Sequence, residues 1–207
     1  ASSVDSVVPA EIKNHWFNGA EISRFELKQV RYGKTHEGHA EFIFVTEPFL
    51  TGEQVKHEFG SGESVPVLKL NALRTFNTGI YSYRTMLSVF TPITGAHSRE
   101  ALKTTTSVQD WCGQAFLQTN RRSSGVRIQQ FSYFQTEGDR DFDLGDVPLE
   151  DGLWTSLRLA PESLPTGELE MVPGSVFLRF RHLPVKAYAA LGKLEQSGGQ
   201  YLYSLVY

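Results

Sequence analysis

Apolar and polar residues alternate along most of the chain, and this pattern predicts a mainly β protein. Between residues 21 and 32, Phe25 and Leu27 lie on one side while Glu26 and Lys28 lie on the other, which is typical of a half-buried strand. Short turn-forming segments separate such runs, so strands that follow each other should pair antiparallel. The predicted strands comprise residues 21–32, 40–47, 65–70, 80–91, 102–108, 168–172, 176–182, 185–194 and 200–207, together with a long hairpin over 109–134.

Glycine, proline and one run of helical spacing mark the exceptions to the strand pattern. Residues 33–38 are predicted to form a turn and residues 51–64 a polar loop. Pro66 indicates that the strand over 65–70 lies at a sheet edge, because proline cannot donate to a ladder. One short helix is predicted over residues 149–159, with Leu149, Leu153, Trp154 and Leu157 on one side and Pro148 and Pro161 at its ends.

About ten strands joined by short turns imply one large antiparallel sheet, which at this size must curl. We therefore predict a curved half-barrel or open barrel with one short helix, and a β-sandwich is the alternative. The chain has 207 residues, 40% of them hydrophobic, which is enough for one sizeable core. Residues 1–12 are predicted to be a flexible N-terminal segment, and residues 13–207 a single β-rich domain.

Charge and cysteine content exclude several classes of protein. The formal net charge is −3, from 20 basic and 23 acidic residues, without a basic stripe, so we do not expect a nucleic-acid partner. The single cysteine, Cys112, excludes an internal disulfide and is predicted to be a buried thiol within the central strand pair. No run approaches the ~18 apolar residues of a membrane helix.

The long hairpin over residues 109–134 carries the candidate ligand site. Two runs rich in aromatic and β-branched residues flank the polar loop 120–125. Ligand clefts in curved sheets combine aromatic rings with a few neutral polar groups, because these lose water more cheaply than charged groups. The pattern favours an apolar or amphiphilic ligand, a lipid or a lipoprotein acyl chain, in the concave face; an ordinary solvated face is the alternative. The predicted contacts are Trp111, Gln114, Phe116, Gln118, Phe131 and Tyr133.

An acidic segment has the spacing of a calcium loop. Asp139, Asp141, Asp143 and Glu150 occupy positions 1, 3, 5 and 12 of a twelve-residue window, as the oxygen ligands of an EF-hand do. Against this, Gly145 stands at position 7 rather than 6, and a strand rather than a helix is predicted before the segment. A solvated acidic turn is the alternative, and no other cofactor is expected.

Catalysis has little support in the sequence, so a non-enzymatic protein is the favoured hypothesis. The chain contains no Gly-x-Ser-x-Gly elbow and no glycine-rich phosphate cradle before a helix. One alternative is a hydrolase that acts on envelope polymers through paired carboxylates. It would use Asp141, Asp143, Glu150 or His15 as acid and base. The other alternative is a structural or interaction module of an envelope complex, whose exposed strand edges pair with a partner.

Six short segments stand out as family marks: residues 14–19 (NHWFNG), 45–49 (VTEPF), 77–81 (NTGIY), 88–92 (SVFTP), 111–113 (WCG) and 164–167 (LPTG). They resemble a family of uncharacterised envelope lipoproteins of Bacteroidetes-type bacteria. The resemblance runs from residue 14 to residue 167 and names no chemistry. It implies export to the cell envelope, facing the periplasm or anchored in the outer membrane, with a lipid anchor on a cysteine just ahead of Ala1.

Relatives in this family are sometimes labelled septum-formation inhibitors, after a family of nucleotide pyrophosphatases. Those enzymes open with a strand and a Ser-x-Ser-Pro-Arg-Arg phosphate loop, and this sequence contains no such loop, so the label does not fit. The long hairpins are also similar to the curved half-barrels of periplasmic lipoprotein carriers. That similarity concerns the fold only.

Overall fold

The computed structural model describes residues 14–94 and 100–207, and it confirms a mainly β protein built on one large antiparallel sheet that does not close. The predicted flexible segment 1–12 lies outside the described residues. The large sheet contains β1 (Ala20–Arg31), β2 (Lys34–Leu50), β3 (Val55–Lys56), β4 (Ser64–Thr78), β5 (Tyr81–Pro92), β6 (Lys103–Asp110), β7 (Gly113–Arg122), β8 (Gly125–Ser132) and β9 (Arg140–Leu144). A small sheet contains β10 (Gly167–Met171), β11 (Tyr188–Ser197) and β12 (Gln200–Val206), and the helices are α1 (Glu150–Leu159) and α2 (Ser175–Arg181), with a short 3-10 turn at Pro161–Ser163.

The large sheet is a meander, in which β1, β2, β4, β5, β6, β7, β8 and β9 follow one another across the sheet and β3 extends β2. Consecutive antiparallel strands turn at alternate ends. The turns β1–β2, β4–β5, β6–β7 and β8–β9 therefore share one end of the sheet, which we call the hairpin end. The β1–β2 turn is only two residues long, since Arg31 pairs with Lys34, and both Tyr32 (φ 53°) and Gly33 (φ 71°) are left-handed.

The predicted turn over residues 33–38 is too long: Gly33 lies in the turn, but residues 34–38 belong to β2. The predicted edge position of the strand with Pro66 is also wrong, because β4 lies between β2 and β5 and has 15 residues. Pro66 lies opposite Pro48, and their carbonyls accept bonds from Ile93 and His57 on the far sides. The pairing of β2 with β4 therefore does not need an N–H group from either proline at this position.

Both helices pack against one face of the large sheet and form the core with it. Leu159 of α1 packs in one cluster with Leu70 of β4 and Val89 of β5. Val176 and Phe180 of α2 pack with aromatic side chains of β4 and β5 and with a valine of β6. The helix predicted over residues 149–159 is confirmed as α1.

The large sheet curves around the helices, as the predicted half-barrel requires. Arg31 of β1 donates to the carbonyl of Phe180, while Leu178, two residues earlier in α2, packs with Val126 and Ile128 of β8. Six strand spacings separate β1 from β8, about 29 Å in a flat sheet. A single helix of 7 residues reaches both strands only if the sheet curls, so the helix side is concave.

The strand predicted over residues 176–182 is wrong, because this segment forms most of the helix α2. Its first turn is held by the two carboxylates that open α1. The Gly174 N–H donates to Glu150 (2.7 Å), and the Ser175 N–H donates to Asp151 (3.1 Å). These bonds satisfy backbone donors that a helix start leaves free. Burial raises the pKa of the Asp151 carboxyl from 3.8 to about 6.

The prediction for Cys112 is also wrong, because its side chain is exposed. Trp111 and Cys112 form the turn between β6 and β7 and do not belong to a strand of the long hairpin. Asp110 closes this turn by accepting the N–H groups of Cys112 (2.7 Å) and Gly113 (3.1 Å). The hairpin proper is β7–β8, with its turn at residues 123–124.

Asp151 should make the protein less stable at neutral pH than at mildly acidic pH. Because its pKa is raised from 3.8 to about 6, the stabilising contribution is fully present below pH 3.8 and is lost as the pH rises through 6. Asp151→Asn keeps an acceptor for Ser175 and removes the charge. The free energy of unfolding of the wild type relative to this variant should fall by on the order of 2–3 kcal/mol between pH 4 and pH 7.

Urea unfolding of both proteins at steps of half a pH unit measures this difference. Asp143→Asn, which removes a carboxylate from an exposed strand position, is the matched control and should run parallel to the wild type. Parallel curves for Asp151→Asn and the wild type would show that the buried carboxylate is not protonated in this range.

Candidate functional site

The predicted ligand contacts on β7 and β8 lie on the convex face of the sheet. On these strands Leu117, Thr119 and Ile128 are directed toward the helices. Gln114, Phe116, Gln118 and Phe131 are directed away from them, because successive residues of a strand point to opposite faces. The prediction placed these contacts on the concave face, and the structure places them on the other side of the sheet.

Four of the six predicted contacts line one open depression on this convex face, near the hairpin end. Phe116 and Phe131 lie directly opposite each other in the β7–β8 register, and both rings are more than a third exposed. The depression has a volume of about 370 Å³, within the size range of small-molecule sites. Its floor and walls combine aromatic rings with hydroxyl and amide groups. The lining side chains include Ser107, Gln109, Gln114, Phe116, Phe131, Ser132, Tyr133 and Asp139.

Trp111, the fifth predicted contact, does not line the depression. It is part of the β6–β7 turn, and its ring meets the ring of Tyr81 edge to face at 5.6 Å between centroids. The contact joins the β4–β5 and β6–β7 turns at the hairpin end. Trp111 is 67% exposed despite this contact, so most of its indole remains in water.

Gln118, the sixth predicted contact, is part of a chain of amides that crosses the convex face. Its Nε2 donates to Asn120 Oδ1 (2.8 Å) and to Gln129 Oε1 (3.3 Å). Asn120 in turn donates to Gln54 (2.7 Å), and Gln129 donates to Asp141 (3.4 Å). The amide nitrogen of Gln118 is therefore already hydrogen-bonded within the sheet. Of the two predicted glutamine contacts, Gln114 is the one that lines the depression.

Gln54 is a residue that the sequence analysis missed. It is 2% exposed and left-handed (φ 56°), and its Nε2 donates to the Arg121 carbonyl at 2.7 Å. Lys103 donates to the Gln54 carbonyl at 3.0 Å. These bonds fix the predicted loop 51–64 on β6 and β7. Nothing in the local sequence distinguishes this glutamine from the other polar residues of that loop.

Between α2 and the sheet the concave side is closed by its own packing, while a cavity of about 250 Å³ lies beside α1, next to Ala101, Gly152 and Leu164. The cavities between α2 and the sheet measure about 30 and 10 Å³, which is room for about one water molecule at most. Hydroxyl pairs join the helices to the sheet, Thr91 with Thr155 at 2.7 Å and Thr106 with Ser175. An acyl chain would have to displace α1 or α2 in order to enter here.

A buried polar cluster ties the β8–β9 turn to α2, and the sequence analysis missed it as well. Glu137 accepts from Ser132 (2.7 Å) and pairs with His182 (2.7 Å) and Arg179 (3.4 Å). The Arg179 guanidinium also lies 4.0 Å from the centre of the Phe134 ring. The hydroxyl and the imidazole each bond to the carboxylate rather than to each other, so this cluster does not form a nucleophile and base pair.

The predicted calcium ligands are spread over different parts of the fold. Residues 140–144 form β9 instead of a loop, and Asp141 is held by Arg127 at 2.9 and 2.6 Å, which lowers the pKa of Asp141. Asp139 lies at the β8–β9 turn, while Glu150 opens α1 on the concave side and accepts from Tyr207 (2.7 Å). Within residues 14–94 and 100–207, no group of three or more His, Cys, Asp or Glu side chains is placed to hold a metal ion.

Of the residues named for a hydrolase, Asp141 and Asp143 lie on one strand face, and the other two lie elsewhere. Asp141 and Asp143 are on the convex face of β9, and Glu150 belongs to the contact between the two helices. His15 bonds to Glu21 (3.1 Å), and Glu21 also bonds to Arg158, at the end of the sheet opposite the hairpin end. Neither Glu150 nor His15 is close enough to Asp141 to share a substrate with it.

The chain matches no protein-family model, no curated protein and no solved structure. In the described part of the chain, no helix is long and apolar enough to cross a membrane.

Calcium should not stabilise this protein. The Asp141 carboxylate already has a guanidinium partner, and Glu150 would have to leave α2 in order to reach the other ligands. We expect the melting temperature to be the same in millimolar calcium and in chelator, and calorimetry to record no heat of binding. If calcium raised the melting temperature and Asp141→Asn abolished the rise, the conclusion that these carboxylates do not bind calcium would be wrong.

Proposed function

We propose that the chain is a non-enzymatic protein of the bacterial cell envelope that binds an apolar or amphiphilic ligand on the convex face of its sheet. The observation that carries this proposal is the open depression around Phe116 and Phe131, where aromatic rings stand beside neutral hydroxyl and amide groups. A lipid or a lipoprotein acyl chain fits this chemistry. The rings take the hydrocarbon, and Gln114 and Gln109 offer hydrogen bonds to a polar head group.

The size and openness of the depression limit the affinity. Micromolar binding needs about 8 kcal/mol, which at about 25 cal/mol per Å² means removing about 300 Å² of apolar surface from water. An acyl chain lying in an open depression is covered on one side only. We therefore expect weak, rapidly exchanging binding, of the kind that suits a ligand taken up and passed on.

The location in the envelope is part of the proposal and rests on the resemblance of six sequence segments to envelope lipoproteins. If that resemblance reflects kinship, a lipid anchor ahead of Ala1 would hold the domain near a membrane. A hydrophobic ligand is then abundant close to the depression.

An interaction module of an envelope complex is the second candidate, and one observation favours it. The exposed rings lie on an open surface, and such patches also mark protein docking sites. In addition, β1 is an end strand of 12 residues, and no strand among residues 14–94 and 100–207 pairs with its outer edge, which a partner strand could extend. The hydrolase alternative has no comparable support. Asp141 and Asp143 lie on an exposed strand where Arg127 already pairs with Asp141, and Glu150 and His15 lie in other parts of the fold.

Replacing the two facing phenylalanines should weaken ligand binding strongly. Phe116→Ala/Phe131→Ala removes the apolar walls of the depression from an exposed face, so the fold should be kept while the affinity for a fluorescent C16 fatty acid falls at least tenfold. Fluorescence titration measures the affinity, and native mass spectrometry of protein from its own host identifies any ligand that co-purifies.

Phe59→Ala is the control, because Phe59 is exposed in the β3–β4 loop at the opposite end of the sheet. It should bind like the wild type. If the wild type neither binds the fatty acid nor co-purifies with lipid, the ligand proposal fails and the interaction module becomes the better candidate.

A further inference from the structure

Every hairpin turn at the hairpin end presents a large exposed apolar or aromatic side chain. The four residues come from four separate turns, β1–β2, β4–β5, β6–β7 and β8–β9, and the meander brings them to one end of the sheet. We call them the hairpin rim: Tyr32 (65% exposed), Ile80 (78%), Trp111 (67%) and Tyr133 (74%).

The other end of the sheet differs in composition. The β7–β8 turn there is Arg122-Ser123-Ser124-Gly125, and the link from β9 to α1 begins with Gly145 and Asp146. Among the described turns at that end, the β3–β4 loop presents one large exposed apolar side chain, Phe59. Phe17, Ile22 and Val55 are also exposed near that end, but they do not lie at the tip of a hairpin. Single exposed apolar residues are normal on a protein surface, but one at each of four adjacent tips is a concentration that requires a partner.

The rim side chains are held in place by their neighbours. Tyr32 bonds to the hydroxyl of Tyr83 (2.9 Å), and Trp111 packs edge to face on Tyr81. Tyr133 lies so close to Gly113 that a Cβ at position 113 would approach its ring to 2.6 Å. The rings therefore project from fixed positions, which lowers the entropy lost when they are buried.

The spacing of the rim distinguishes a membrane from a protein partner. Successive tips are two strands apart, about 10 Å along the curved edge of the sheet. A protein interface needs continuous, closely packed contact, and separate tips leave gaps between them. Lipid molecules fill such gaps, because head groups and acyl chains rearrange around each inserted side chain.

The chemistry of the rim also fits a bilayer surface. Trp and Tyr combine an apolar ring with a polar group and concentrate at the level of the lipid head groups. Exposed cations flank the tips: Lys34 follows the β1–β2 turn, Arg140 follows the β8–β9 turn, and Arg181 lies beside the Phe180 carbonyl that Arg31 contacts. Two carboxylates also lie at this end: Asp110 accepts the N–H groups of its own turn, and the exposed Asp139 accepts the Ser132 N–H (3.4 Å) and directly precedes Arg140. Anionic head groups complement this arrangement.

We propose that the hairpin rim is a membrane-contact surface, with which the domain stands on a lipid bilayer and inserts the four tip side chains into the head-group region. This contact goes beyond the ligand site and beyond the lipid anchor, and it holds or fails independently of both. Tyr133 belongs to the rim and also lines the depression. A domain standing on the rim therefore opens its ligand site at the membrane surface.

Flotation with vesicles tests the proposal, using phosphatidylcholine alone and phosphatidylcholine with 30% phosphatidylglycerol. The wild-type domain without a lipid anchor should float with the anionic vesicles and more weakly with the neutral ones. Ile80→Ser/Trp111→Ser changes two side chains that belong to the rim alone, and it should reduce the bound fraction on anionic vesicles at least tenfold. Phe59→Ser/Leu202→Ser, which removes two exposed apolar side chains away from the rim, should bind like the wild type.

Tryptophan fluorescence reports whether Trp111 enters the lipid. Trp16→Phe/Trp154→Phe leaves Trp111 as the single tryptophan of the chain. Its emission should shift to the blue with anionic vesicles, and lipids brominated near the head group should quench it more than lipids brominated near the chain end. Circular dichroism and thermal melting check that each variant is folded.

Two results would overturn the proposal. One is a wild-type domain that floats with neither kind of vesicle. The other is vesicle binding that the rim variant retains in full, which would be charge adsorption elsewhere on the surface. Phe116→Ala/Phe131→Ala should keep vesicle binding while it loses the fatty acid, so failure of the ligand site and failure of the rim can be told apart.

Discussion

The contact between the two helices on the concave side is the interaction on which the architecture depends. A helix of 7 residues is too short to be stable alone, so α2 forms only where other parts of the chain hold it. Glu150 and Asp151 supply acceptors for its first N–H groups, and its apolar side chains then reach strands from both halves of the sheet. The Asp151 carboxylate is buried and its pKa is raised. This cap therefore stabilises α2 at an electrostatic cost to the fold.

The regular parts of this architecture could be predicted from the sequence because they depend on local pattern. Alternation predicts β1 and β5 almost to their ends, and leucine spacing between two prolines predicts α1. The prediction failed where a distant partner decides. Val176, Leu178 and Phe180 alternate with Phe177 and Arg179 as in a strand, yet carboxylates 24 residues earlier make the segment helical. Pro66 indicates an edge locally, whereas the opposing Pro48 permits a central position.

The candidate site could be predicted in part for the same reason. Two-residue periodicity places Gln114, Phe116 and Gln118 on one face without any tertiary information. It does not say which face is concave, because the other face of β7 and β8 is also apolar and the curvature is set by α2. Gln54 and Glu137 lie in segments without periodicity, and their roles come from partners as distant as Arg121 and His182.

Filling the half-barrel from within has a consequence for where this protein can bind anything. A half-barrel that is empty offers its concave face to a ligand, but here α1, α2 and their hydroxyl contacts occupy that face. Large apolar side chains that are not part of the core lie on the convex face and at the tips of the hairpins. Both proposed contacts, the depression and the rim, use these positions. They meet at Tyr133, because the β8–β9 turn that supplies this ring is anchored to α2 through Glu137 and Arg179. The helix that closes the inside of the sheet thereby also fixes the turn that shapes its outside.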